Sequence, residues 1–114
     1  MSQFVSISLG SHMYRMEIMM KREDIHIGMG KYSSPPPYGM IFILKGAYKT
    51  VTMRDVSFPL YISFYDRNWN PIPMNAYDPT IWTRMYPNEQ SRPMPLGAYY
   101  MLELPSGLIQ PQNI

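Results

Sequence analysis

The run Val51–Asp66, VTMRDVSFPLYISFYD, constrains the fold more than any other part of the chain. It is a long run with neither glycine nor an obvious turn, and it reads as two extended pieces. Thr52–Arg54 alternate polar and apolar around Met53, and Leu60–Tyr65 alternate large apolar residues with Tyr61 and Ser63. Period two with one apolar face is the pattern of a sheet strand. Proline cannot donate to the ladder and belongs at a strand start or an edge. The second strand is therefore expected to begin at Pro59.

The rest of the chain supplies partners for those strands. Phe4, Val5, Ile7 and Leu9 are followed by the turn Gly10-Ser11-His12 and by the alternating run Met13–Met19, so residues 3–19 read as a β-hairpin. Met20–Met29 carries charges and no breaker before Gly28; it reads as a short helix capped by Gly28 or Gly30, and Ile25 and Ile27 keep a strand open as the alternative. Three consecutive prolines make Lys31–Tyr38 a loop. Gly39–Leu44 is continuously apolar, as a strand buried on both faces would be. Arg67–Asn70 reads as a turn, Pro71–Met74 as an edge strand and Ala98–Leu104 as the last strand, stopped by Pro105-Ser106-Gly107. Between them, Asn75–Pro95 is proline-rich, with one strand expected over Ile81–Met85. A connection that long is usually functional or held by a partner. The expectation is a mainly-β domain spanning 1–114: a small β-sandwich or barrel of about seven to nine short strands with one short helix near residues 20–29.

Composition narrows the function classes. The chain has no cysteine, which excludes disulfides and cysteine-ligated zinc. Ten basic and eight acidic residues give a net charge of +2, and the basic residues are scattered rather than gathered into the stripe that counterion-driven nucleic-acid binding needs. No nucleic-acid partner is expected. The apolar run Gly39–Leu44 is far short of the roughly 20 residues that cross a bilayer, and Met1–Gly10 has no signal-peptide pattern. No membrane partner is expected, and the cytoplasm or a virion is the expected location. Twelve methionines, ten tyrosines and only 16% charged residues are a composition that suits protein interfaces.

Three segments resemble, in order, the domain-of-unknown-function family numbered 192. Its strand, short helix, loop and Gly-Met-Leu-Phe strand are similar to Tyr14–Ile18, the charged segment ending at Gly28-Met29, and Gly39-Met40-Ile41-Phe42. Its motif Trp-Met-Lys-Asn-Thr, two residues, then Pro-Leu-Asp resembles Thr52-Met53-Arg54-Asp55-Val56, Ser57-Phe58, then Pro59-Leu60-Tyr61. Its closing Leu-Glu-Leu strand resembles Leu102-Glu103-Leu104, with Gly107 after it. The resemblance covers roughly residues 14–107 and implies a mainly-β fold. It implies no chemistry, and the motif's tryptophan, asparagine and final carboxylate are here Thr52, Asp55 and Tyr61.

Candidate sites follow from residue type. Arg54, Asp55, Tyr61 and Glu103 are the candidates for a polar ligand pocket. Adjacent strand residues point to opposite faces, so Arg54 and Asp55 are expected to diverge, with Arg54 reaching Glu103 or Asp66. Glu17 and Glu103 could form a carboxylate pair for general acid–base work, but nothing in the sequence places them together, and solvent-facing is the ordinary expectation for strand glutamates. His12 and His26 lack the further ligands a metal site needs, Gly28-Met29-Gly30 lacks the lysine of a phosphate loop, and the methionines recur on strands rather than in a copper-type cluster. No catalytic residues, metal or cofactor are assigned. Two functional expectations remain. One is a non-enzymatic assembly protein, in its narrowest form a subunit decorating a viral capsid or tail, which packs on itself or other subunits through Tyr77, Trp82, Tyr86 and Ile114. The other is a small-ligand-binding or enzymatic domain with a polar pocket near Met53–Asp55.

Overall fold

The computed structural model of the chain describes residues 2–75 and 77–108. Among the described residues nine strands and one short helix follow in order. They are β1 (Phe4–Leu9), β2 (His12–Met19), α1 (Arg22–Ile27), β3 (Gly39–Ile43), β4 (Thr50–Val51), β5 (Leu60–Tyr65), β6 (Pro71–Ile72), β7 (Thr83–Met85), β8 (Arg92–Pro93) and β9 (Tyr100–Pro105). Seven strands form one sheet in the order β1-β2-β3-β9-β5-β6, with β7 also on β5; β4 and β8 form a second, two-stranded sheet. The mainly-β expectation holds, with the helix where the charged segment placed it.

The expected hairpin is β1–β2, turning at Gly10 with φ of 62°. β2 and β3 then pair in parallel. A parallel pair requires a crossover, and the crossover is α1. It stops at Gly28, which takes φ of 51° and returns its N–H to the carbonyl of Asp24, the left-handed exit that glycine permits. A 3-10 turn, Gly28–Lys31, follows and buries Met29.

Alternation then sorts the sheet into two faces. On β3, β5 and β9 the residues Met40, Phe42, Leu60, Ile62, Phe64 and Met101 point to one face and make the main core, covered by Met29, Met53, Val56 and Phe58, with Ile25 packed against it. The intervening residues Ile41, Leu102 and Leu104 join Tyr14 and Met16 on the other face. Both faces of the central strands are thus buried, as the unbroken apolar run of β3 predicts.

The opening stretch departs from its expected form. In its first half only Thr50–Val51 pair as a strand, with β8, and Arg54-Asp55 form a turn. Asp55 has φ of 63°, and the Val56 N–H donates to the Met53 carbonyl at 3.0 Å. The reason is burial. A straight strand through Met53 would carry Asp55 and Ser57 to the core, whereas the turn lets Met53, Val56 and Phe58 all be buried and leaves Asp55 and Ser57 exposed. The second strand starts at Leu60, one residue after the Pro59 expected to open it. In the long connection, the strand expected over Ile81–Met85 is the shorter β7, and the edge strand expected over Pro71–Met74 is β6. The turn before β6 is held by Asp66, whose Oδ1 accepts from the N–H groups of Asn68 and Asn70 at 2.8 and 2.9 Å. It places Trp69 flat on Tyr100, ring centroids 3.9 Å apart.

Candidate functional site

Strand register brings two carboxyl side chains into one row. Glu17 pairs with Met40 across β2–β3, Met40 with Glu103 across β3–β9, and Glu103 with Ile62 across β9–β5. Residues in one row share a face, so Glu17 and Glu103 both lie on the main-core face, one on each side of Met40. Glu17 is fully buried and Glu103 only 5% exposed. This corrects the expectation that both face solvent. The covering layer of α1, the 3-10 turn and the β4–β5 connection lies over the face that period two alone would leave open.

The two carboxyls have opposite surroundings. Glu17 accepts an ion-paired hydrogen bond from Lys31 Nζ and one from the Tyr32 hydroxyl at 2.8 Å; that hydroxyl also meets the Tyr38 hydroxyl at 2.7 Å. Burial acts to raise its pKa, but hydrogen bonds from Lys31, Ser2 and Tyr32 outweigh burial and hold it below the ordinary glutamate value. Glu17 is an anchored anion that ties the 3-10 turn to β2. Glu103 has no hydrogen-bond or ion-pair partner among the described residues, and burial pushes its pKa up to about 8. Burial thus favours its neutral, protonated form.

Glu103 opens into a cleft of about 300 Å³. Phe42, Met101 and Glu103 form its floor on the sheet; Arg22, Ile25, His26 and Met29 form the helix-side wall. Opposite stand Tyr48, Lys49, Val51, Thr52, Arg54 and Val56, with Met94 between. The cleft is at the small end of ligand pockets, which run from about 300 Å³, and has their character of apolar walls with a few polar groups.

Two of the four pocket candidates, Arg54 and Glu103, therefore line one cleft. Arg54 reaches neither Glu103 nor Asp66 as an ion pair; it lies 4.0 Å from Asp55, both side chains more than 80% exposed, a weak surface pair. Asp55 is on the turn but not in the cleft lining. Tyr61 points to the other face of β5, since its neighbour Ile62 belongs to the Glu103 row, and the Arg84 guanidinium lies 5.6 Å over its ring. Of the interface candidates, Tyr77 is almost wholly exposed and Tyr86 half exposed beneath the same guanidinium at 5.1 Å. Trp82 packs against the second core cluster instead, and Ile114 lies outside the described residues. Both histidines are exposed, and His26 lies at the helix side of the cleft. Among the described residues no group of three histidine, aspartate or glutamate side chains could hold a metal. No helix of the described residues is long and apolar enough to cross a membrane.

A second concavity of about 400 Å³ lies between the β6–β7 connection and β8, lined by Asn75, Asp78, Thr80 and Arg92 among others. Its polar groups are already engaged. Asp78 accepts from the Thr80 N–H and hydroxyl, and Arg92 pairs with Glu89.

The profile of the domain-of-unknown-function family 192, described as an uncharacterized ACR, matches residues 5–114. The chain belongs to the DUF192 family. Among curated proteins none matches. Two solved structures are similar in fold. A protein of unknown function from Novosphingobium aromaticivorans superposes with a TM-score of 0.69 at 22% identity, covering 94% of this chain and 75% of the other. A putative transcription regulator from Sinorhizobium meliloti superposes with a TM-score of 0.66 at 19% identity, covering 100% and 88%. In this DUF192 chain the motif region, 52–61, is the β4–β5 connection and the start of β5, and it closes the cleft with Thr52, Arg54 and Val56. The Leu-Glu-Leu strand is β9, which supplies Glu103. The two motifs that mark the family in the sequence meet across one cleft.

Proposed function

We propose that this domain binds a small molecule in the cleft between α1, the β4–β5 connection and the floor of β3 and β9. The observation that carries the reading is Glu103. Its carboxyl is only 5% exposed, lines the cleft and meets no hydrogen-bond partner among the described residues. A ligand that brings a hydrogen-bonding group to the floor makes that bond in a largely desolvated place, where it is stronger than in water. The reading is of binding rather than turnover, since among the described residues no hydrogen bond joins a nucleophile of the cleft lining to a base.

Fragment screening against methionine-methyl resonances tests the reading. Fragments that bind will shift the methyls of Met29, Met94 and Met101 and leave those of Met16 and Met85, which lie outside the cleft, in place. A diverse panel that moves none of the three methyls, or moves Met16 and Met85 equally, sinks it.

A second reading, assembly with protein subunits, is supported by the near-complete exposure of Tyr77 and Leu96, apolar side chains in and beside the long connection. Light scattering is expected to give a mass above the 13.4 kDa monomer, reduced by Leu96→Lys. A strictly monomeric mass at every concentration removes this reading. Its narrow form, an accessory subunit of a virus particle, requires in addition that the protein sediment with that particle.

A further inference from the structure

The charges of the cleft are unevenly placed, and that layout carries information about the ligand. Every side chain of the lining that can bear positive charge stands on the walls: Arg22 and His26 on α1, Lys49 beside β4 and Arg54 on the turn. All four are exposed. The floor holds the one acid of the lining, Glu103. Arg22 and Lys49 make no ion pair among the described residues, and the Arg54–Asp55 contact at 4.0 Å is too exposed to neutralise Arg54. The acids Glu23 and Asp24, also on α1, line a separate depression with Glu17 and Lys31 and do not face this cleft. Between these cations and Glu103 the cleft is apolar, with Met29 and Val56 on its walls and Phe42 and Met101 on its floor.

We infer that the ligand is a small amphipathic anion with a neutral polar group at the end opposite its charge. The acidic group stays at the mouth among Arg22, Lys49 and Arg54. The apolar body lies along Met29, Phe42 and Met101. A hydroxyl or carbonyl oxygen at the far end accepts the proton of the Glu103 carboxyl. The orientation follows from desolvation: a charge carried to the floor would lose its water and meet one uncharged partner, whereas at the mouth it keeps water and gains cationic neighbours. An amine is disfavoured at both ends. The mouth repels it, and pairing with the floor requires Glu103 to ionise where burial opposes ionisation. The inference rests on the cleft being a ligand site and adds to that reading the chemical class of the ligand.

Three matched probes test it on the full chain at pH 6.5, again read from the methyls of Met29, Met94 and Met101. They are 4-hydroxyphenylacetate, phenylacetate without the hydroxyl, and tyramine, in which an amine replaces the carboxylate. The expected result is that 4-hydroxyphenylacetate binds at least about tenfold more tightly than tyramine, a difference of about 1.4 kcal/mol. The double variant K49A/R54A, both positions exposed, is expected to remove most of that preference. Glu103→Met is expected to abolish the advantage of 4-hydroxyphenylacetate over phenylacetate while keeping the preference for anions. Tyramine binding as tightly as the anion, or an anion preference untouched by K49A/R54A, overturns the inference and leaves the cleft as a ligand site. Absence of any shift with all three probes at millimolar concentration overturns both.

Discussion

Gly39→Ala is expected to destabilise the domain by roughly 3 kcal/mol or more, the upper end of overpacking costs because the obstruction includes backbone. A Cβ at Gly39 would lie 2.5 Å from the carbonyl oxygen of Glu103, 2.7 Å from Leu104 Cδ2 and 2.7 Å from Met16 Sδ. The first of these belongs to the neighbouring strand of the sheet, so relief requires β3 and β9 to separate where both faces are packed. Leu104 and Met16 are fully buried, so their side chains can shift only by displacing other core residues. Against a total stability of roughly 5–15 kcal/mol the loss is large, and the melting temperature should fall by roughly 12 °C or more at about 4 °C per kcal/mol. Gly107→Ala is the control, since nothing lies within 4 Å of its added Cβ. It is expected to change stability by no more than about 0.5 kcal/mol. Equal melting temperatures for the two variants would mean that the strands at Gly39 are not packed as described.

Much of this architecture is legible in the sequence because it follows from local pattern. Alternation marks β1, β2 and β5, continuous apolarity marks β3, and glycine with positive φ marks the ends of the hairpin turn and of α1. The turn at Arg54-Asp55 is not legible in the same way. Period two reads Thr52–Arg54 as strand, and only the core decides that Val56 and Phe58 are worth more inside than a longer ladder. The burial of Glu17 and Glu103 is missed for a related reason: a strand's pattern says which residues share a face, not whether another layer covers it. The signal was present, since each glutamate interrupts an otherwise apolar run, Met16–Met19 and Met101–Leu104. Such an interruption on a strand buried on both faces places a carboxyl inside. What the sequence cannot tell apart is the partnered carboxyl from the solitary one. Lys31 and Tyr32, fourteen and fifteen residues from Glu17, come back to it only because α1 and the 3-10 turn carry the chain across the sheet. Arg54 and Glu103 meet at one cleft only because β9 enters between β3 and β5.

Glu103→Gln is expected to stabilise the protein above neutral pH and to leave it nearly unchanged near pH 4.5. The sign follows from proton linkage. Burial raises the carboxyl from an ordinary value of 4.5 to about 8, so between those limits the folded chain binds a proton that the unfolded chain has released. Stability from this group is therefore full below pH 4.5, falls as pH rises through the window, and has reached its floor above about pH 8. Each tenfold change in proton affinity is worth about 1.4 kcal/mol, so the whole loss is on the order of 5 kcal/mol. Arg22, His26, Lys49 and Arg54 stand around the cleft, but burial is what sets the direction of the shift. Glutamine keeps the shape of the neutral acid and does not titrate. The gain of the variant in urea unfolding should grow steadily from pH 5 to pH 8 and then level off. A difference that stays flat across that range would mean the carboxyl has an ordinary pKa and a partner, and the proposed ligand site would lose the observation it rests on. Glu17→Gln should behave oppositely, because hydrogen bonds lower that carboxyl: the stability Glu17 contributes is present above pH 4.5 and lost only as pH falls below it. Two carboxyls flanking Met40 thus make opposite demands on pH. One is spent on joining the 3-10 turn to the sheet, and the other is left with an unshared proton at the floor of a cleft.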